Sequence, residues 1–113
     1  MKRRIHLQTY TDEERHRAIT RLRELIADAG GWIVDFQLFS NLALSVIIEI
    51  TFADLKRLLE TLEECNVQLS DQSRSTVVAL SLESPVEEIR VLINLAFSQG
   101  AGELRQHLPA VPG

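Results

Sequence analysis

The 113-residue sequence contains a single cysteine, Cys65, which limits the chemistry that one chain can carry. A single thiol excludes an intrachain disulfide framework and a metal site built from paired cysteines. Cys65 follows Glu63 and Glu64, and neighbouring carboxylates do not favour the thiolate form that a reactive cysteine needs. We therefore expect a structural role for Cys65 and a reducing, cytoplasmic location for the protein.

Several other signals of enzymes, membrane proteins and nucleic-acid-binding proteins are missing. The sequence has no phosphate-binding glycine loop, no nucleophile elbow and no HExxH zinc motif. Its longest apolar-rich run, residues 42–50, is too short to cross a bilayer, and its basic start is not followed by the apolar stretch of a signal peptide. The net charge of −4 gives no attraction to nucleic acid or anionic membranes. We therefore expect no cofactor, no metal, no nucleic-acid partner and no membrane association.

Apolar residues are plentiful, at 45%, beside 25% charged residues. This balance is typical of a folded globular domain, and the length suits one hydrophobic core. Three of the five glycines and two of the three prolines lie in residues 100–113. We expect a single domain over residues 1–99 and an extended arm over residues 100–113.

The first thirty residues predict a strand followed by a helix. Residues 5–10 alternate between apolar and polar, which indicates a half-buried strand. Thr11 and Glu14 have the spacing of a capping box, and the pair Gly30-Gly31 is typical of a helix end. Between them, apolar residues recur at helical spacing: Ala18, Ile19, Leu22, Leu25, Ile26 and Ala29.

Residues 32–50 predict a β-hairpin with one apolar face. A two-residue turn would place the apolar residues of its two strands on opposite sides of the sheet, whereas a three-residue loop at 39–41 places them on one side. We therefore predict the three-residue loop, with Asn41 in a left-handed conformation. The apolar sets are Trp32, Val34, Phe36 and Leu38 in the first strand, and Leu42, Leu44, Val46, Ile48 and Ile50 in the second.

A second helix is predicted from Thr51, as its N-cap, to Asn66, as its stop. It is followed by a short strand at 67–70, a polar loop at 71–75 and a strand at 76–82. Residues 85–99 fit two structures. Caps at 84–87 and at 100 suit a helix, but we favour a strand because the period-two alternation is unbroken. The alternating residues are Ile89, Val91, Ile93, Leu95 and Phe97.

This order of elements predicts an α+β fold of the ferredoxin-like type. A split β-α-β unit would form an antiparallel sheet with both helices on one face and with one or two extra C-terminal strands. The predicted core between helices and sheet consists of Leu22, Leu25, Phe36, Val46, Ile48, Leu58 and Leu62.

Residues 30–70 resemble the second half of an ACT-type regulatory domain, which has a strand-turn-strand followed by a helix that opens near an Asp-Leu pair, here Asp54-Leu55. The resemblance implies a regulatory module, and related folds commonly form dimers. ACT domains usually bind small ligands at a glycine-containing turn between the first strand and first helix. Residues 8–17 occupy that place here and contain no glycine, so the family's ligand site is not carried over.

The predicted sheet leaves one face open, and this face suggests two kinds of function. It would carry His6, Asp35, Glu49 and Arg90 as candidate ligand-binding residues, among the aliphatic residues Ile33, Ile47 and Leu92. In the ferredoxin-like order the first strand lies beside the third, so His6 would lie across from Ile47 or Glu49.

One hypothesis is a non-catalytic regulatory or protein-interaction module that forms a homodimer through exposed aliphatic residues, with the arm at 100–113 reaching across. The alternative is a small enzyme or ligand-binding protein in which His6 works with Asp35 or Glu49 in acid-base chemistry. A solvated sheet face without a site is the third interpretation.

Overall fold

The computed structural model describes residues 3–40, 42–80 and 85–97, which form a five-stranded mixed sheet and three helices. This confirms the α+β class. No helix in these residues is long and apolar enough to cross a membrane. In chain order the elements are β1 (Arg3–Thr11), α1 (Arg15–Asp28), β2 (Trp32–Leu38), β3 (Ala43–Thr51), α2 (Phe52–Glu64), β4 (Val67–Leu69), α3 (Asp71–Leu80) and β5 (Glu88–Phe97).

The strand order in the sheet is β2-β3-β5-β1-β4. β1 and β5 run parallel, whereas the other three pairs are antiparallel. The prediction of an antiparallel sheet is therefore wrong, and the ferredoxin-like topology is not confirmed. β5 lies between β1 and β3, which were expected to be neighbours.

The prediction of a strand at Ile89–Phe97 is confirmed, and every second residue from Ile89 to Phe97 is at most 2% exposed. A strand with this many apolar residues is most stable in the middle of the sheet, where another strand pairs with each of its edges.

The hydrophobic core lies between one face of the sheet and the helices. Five of the seven predicted core residues are at most 1% exposed: Leu22, Val46, Ile48, Leu58 and Leu62. The other two, Leu25 and Phe36, are partly buried and pack against this core. The Phe36 ring lies near the sheet edge, where the Arg23 guanidinium sits 4.2 Å from its centroid. All three helices contribute to the same core cluster. They therefore cover one side of the sheet, and no helix packs on the opposite side in the described residues.

The start of α1 differs from the prediction. Thr11 is the last residue of β1, where it pairs with Phe97, and the N-cap is Glu14. The Glu14 carboxylate accepts hydrogen bonds from the backbone N–H groups of His16 and Arg17, at 2.8 and 3.2 Å. Sheet pairing thus holds Thr11 in an extended conformation and moves the cap three residues along the chain.

The other predicted helix boundaries are confirmed. Gly30 follows α1 with φ of 85°, and a Cβ on Gly31 would lie 3.0 Å from Ile26 Cγ2. Gly30 is favoured because its φ is positive, and Gly31 is favoured because a Cβ would lie too close to Ile26. Thr51 caps α2 by accepting from the Asp54 N–H at 3.2 Å, and Asn66, with φ of 67°, follows its end.

The polar loop at 71–75 is wrong, and so is the predicted strand over residues 76–80, because Asp71–Leu80 forms helix α3. Residues 81 and 82 of that prediction lie outside the described residues. The hydroxyl of Ser70 accepts the backbone N–H of Ser73 at 3.1 Å, which caps the helix. The Ser73 hydroxyl in turn accepts the backbone N–H of Gln8 at 2.7 Å. This bond takes the place of a sheet hydrogen bond on β1, beyond the last residue of β4. A polar segment with good capping residues therefore forms a helix that continues into the residues predicted to be a strand.

Candidate functional site: the outer face of the sheet

The candidate site is the side of the sheet that faces away from the helices, which we call the outer face. Directly opposite residues of neighbouring strands lie on the same face of a sheet. The registers therefore define three rows of outer-face side chains that cross all four strands. From β1 across β5 and β3 to β2, the rows are Arg4, Arg90, Glu49 and Trp32; His6, Leu92, Ile47 and Asp35; and Gln8, Asn94, Ser45 and Gln37.

A β-bulge in β2 places Trp32 on the outer face. The register with β3 shifts between Ile33 and Asp35 and leaves Val34 as the extra residue. An extra residue reverses the alternation, so Trp32 lies on the outer face, where it is 72% exposed, and Ile33 packs against the core. The predictions that Trp32 shares the inner face with Phe36, and that Ile33 faces outward, are both wrong for this reason.

The hairpin loop is two residues longer than predicted, because Leu38 pairs with Leu44 rather than with Leu42. The Leu42 carbonyl instead accepts the N–H of Phe97, the last residue of β5, at 2.8 Å. Two added residues leave the alternation unchanged, so Leu38 and Leu44 still share the inner face. Asn41, predicted to be left-handed, lies outside the described residues.

The first row contains an ion pair between neighbouring strands. Arg90 Nε donates to Glu49 Oε2 at 3.1 Å, and its Nη2 contacts the same oxygen. Both side chains are half-buried, so we assign the pair no more than about 1 kcal/mol. Glu49 is thereby engaged by a cation, and it is not available to orient His6. Arg4 lies on the other side of Arg90, and two like charges on directly opposite positions repel each other.

His6 lies opposite Leu92, and not across from Ile47 or Glu49 as expected, because β5 separates β1 from β3. Its partner is Asn94, whose Nδ2 lies 2.8 Å from His6 Nε2. An amide nitrogen only donates, so this ring nitrogen is the acceptor of the hydrogen bond. A histidine with an amide partner lacks the carboxylate that orients a general base.

The second row separates the two remaining candidate residues. His6 and Asp35 lie at its two ends, three strand spacings apart, or about 14 Å. Between them lie Leu92 and Ile47, which are directly opposite each other and half-buried. The structure thus brings Glu49 and Arg90 together but keeps His6 apart from both carboxylates. Nowhere in the described part of the chain do three His, Cys, Asp or Glu side chains converge to hold a metal.

The exposed aromatic residues of this face were only partly foreseen. Tyr10, on β1 opposite Ala96, is 46% exposed, and it lies at the corner diagonally across from Trp32. Tyr10 is the last residue of the strand predicted at residues 5–10, whereas Trp32 was predicted on the apolar face of the hairpin. Neither the double glycine nor the alternation of residues 32–38 predicts the bulge, because a bulge depends on the pairing with β3.

Other surface features are shallow or already paired. An open groove of about 360 Å³ runs between α1 and α2, where acidic residues surround Arg57. Cys65, at the end of α2, is half-buried, and its hydrogen bond with the Arg21 guanidinium raises the pKa of Arg21. Neither feature brings polar groups together at a common point, so the outer face remains the candidate functional surface.

Comparison of the chain with family models, curated proteins and solved structures gave no match.

Proposed function

We propose that the protein is a non-catalytic interaction module of the regulatory type, which works as a homodimer through the outer face of its sheet. The observation that carries the proposal is the composition of that face. Ile47 and Leu92 form an aliphatic centre, Trp32 is 72% exposed at one corner, and the charged groups Glu49 and Arg90 are paired with each other. Apolar residues grouped on one sheet face, away from the core, are typical of a contact surface.

The arrangement of strands supports a relation to ferredoxin-like and ACT-type modules. If β5 is left out, the remaining order is β2-β3-β1-β4, which is the order of a ferredoxin-like sheet. We interpret β5 as a strand inserted into such a sheet, parallel to β1 and antiparallel to β3. The resemblance of residues 30–70 to an ACT-type domain agrees with this interpretation, and the helix after the hairpin does open near Asp54. Both relations favour a regulatory role over a catalytic one.

The geometry of the polar groups also favours binding over catalysis. His6 is bonded to an amide, Glu49 to a guanidinium, and Asp35 is about 14 Å from His6 along the row. Acid-base chemistry needs a base and its orienting partner within hydrogen-bond reach. A contact surface needs only that its polar groups find partners when water is removed.

The proposal is tested by the mass of the protein in solution. Light scattering at micromolar concentration is expected to give twice the chain mass of 12.8 kDa. Ile47→Lys places a charge at the centre of the outer face and is expected to give a monomer with an unchanged fold. The matched control is Val86→Lys, since Val86 is 80% exposed and lies outside the outer face, and this variant is expected to remain a dimer.

Two outcomes would contradict the proposal. A monomeric wild-type mass that does not change on concentrating the sample would remove the interaction role. A dimer that Ile47→Lys leaves intact, with circular dichroism showing native structure, would place the contact on another surface.

A further inference from the structure

Basic and acidic side chains on the outer face are divided between its two halves. The β1 and β5 half carries Arg4, Arg90 and His6, whereas the β3 and β2 half carries Glu49 and Asp35. Trp32, whose ring face attracts cations, also lies on the second half. The boundary between the halves runs between β5 and β3, parallel to the strands. A face divided in this way is complementary to itself.

We infer that a second copy of this chain docks on the outer face about a two-fold axis that runs parallel to the strands, between β3 and β5. This inference rests on the proposed function and adds the geometry of the contact. Such an axis brings each position on one half over the mirrored position on the other half of the partner, within the same row. An axis perpendicular to the strands would instead place each strand over its own copy, so acidic residues would meet acidic residues.

The first and second rows gain complementary neighbours from this axis. In the first row Glu49 faces the second copy's Arg90, and Trp32 faces the second copy's Arg4. The contact with Trp32 offsets the repulsion between Arg4 and its neighbour Arg90. In the second row Ile47 meets Leu92, and Asp35 meets His6. Within one chain His6 and Asp35 lie at opposite ends of a row, whereas in the dimer the His6 of each copy lies against the Asp35 of the other.

The size and packing geometry of the face suit a dimer. Four strands of seven to ten residues span about 20 Å by 25 Å, or roughly 500 Å² on each copy and about 1,000 Å² for the pair, which is near the lower limit for a specific interface. Aligned sheets cross at about 30°, and this rotation shifts the outermost pairs by only about 4 Å. The pairing of rows therefore survives the natural twist of the sheets.

Single-cysteine variants test the axis directly. In a Cys65→Ser background, His6→Cys and Asp35→Cys are prepared separately, so that every crosslink joins two chains. The two variants are mixed, allowed to exchange, and treated with a bis-maleimide whose reach is about 10 Å, the distance between packed sheets. The mixed dimer carries one facing pair of cysteines and keeps the other facing pair as the native His6 and Asp35. Crosslinking is expected in the mixture, and neither variant alone is expected to crosslink.

A random-collision control and the light-scattering mass separate the outcomes. Val86→Cys mixed with His6→Cys is expected to give no crosslink, because Val86 lies outside the outer face. Crosslinking of Asp35→Cys alone would show that like strands face each other, and it would overturn the axis while leaving the proposed function standing. A dimeric mass without any crosslink would do the same. A monomeric mass for the background variant would overturn the proposed function as well. A monomer is also the result expected if residues 98–113 of the same chain, instead of a second copy, cover the outer face.

Discussion

Replacing Ser73 with alanine tests how helix α3 is attached to the sheet. Ser73 is 4% exposed, and its hydroxyl accepts the backbone N–H of Gln8 at 2.7 Å and the hydroxyl of Ser70 at 2.9 Å. Alanine removes the acceptor and leaves the Gln8 N–H partly buried without a partner. An unsatisfied buried donor costs about 1–3 kcal/mol, and the lost bond to Ser70 adds about 0.5 kcal/mol.

We therefore expect Ser73→Ala to lower the free energy of unfolding by about 2–3 kcal/mol, as measured by urea denaturation. For a domain of this size the corresponding fall in Tm is about 8–12 °C. Hydrogen exchange should be faster at the Gln8 amide than in the wild type. The control is Ser75→Ala on the exposed side of α3, which should change stability by less than about 0.5 kcal/mol. Equal stability of the two variants would refute the attachment of α3 to β1 through Ser73.

Three further predictions concern the core, a helix cap and a glycine. Ile48 is 0% exposed, so Ile48→Asp buries an unpaired charge and should cost several kcal/mol, and an unchanged melting temperature would refute its inward orientation. The N–H of His16, which hydrogen-bonds the Glu14 carboxylate, lowers the pKa of Glu14 from 4.5, so this cap is fully formed above pH 4.5 and is lost as the pH falls through the lowered value. Chemical shifts at the start of α1 should report its fraying in acid, whereas Glu14→Gln should show no such pH dependence. Gly31→Ala forces a Cβ to 3.0 Å from Ile26 Cγ2 and should destabilise by about 1–3 kcal/mol in urea denaturation; a gain in stability would show that the neighbours move aside freely.

Local patterns predicted most elements because they are set by short-range physics. The period-two run of Ile89–Phe97 outweighed the helix caps around it, since a helix would have exposed part of its apolar set. Thr51 and the double glycine marked helix boundaries correctly, because capping depends on a few neighbouring residues. Helix α3 was missed for the opposite reason. The apolar alternation in residues 76–82 suggested a strand, but the cap at Ser70 and the contact of Ser73 with β1 stabilise a helix.

The arrangement of strands could not be predicted from such patterns. The position of β5 depends on pairings between residues nearly ninety positions apart, such as His6 with Leu92, and no local signal encodes them. The bulge in β2 is likewise a property of the pairing with β3, and it reverses the orientation of Trp32. The candidate residues His6, Asp35, Glu49 and Arg90 were assigned to the correct face, but their neighbours depended on strand order. The histidine–carboxylate pair that was considered within one chain is therefore absent, because β5 separates His6 from Glu49 and Asp35 lies at the far end of the row.

Fluorescence quenching of Trp32 is the measurement that tests the contact face most directly. Trp32 is the only tryptophan in the sequence, and it is 72% exposed in the single chain. The proposed dimer places it against the second copy, so acrylamide should quench it weakly at concentrations where light scattering gives a dimer. Dilution into the monomer range should increase quenching to that of an exposed indole, in step with the fall in mass. Quenching that is strong and constant at all concentrations, or weak and constant in a monomer, would contradict a homodimer formed through the outer face.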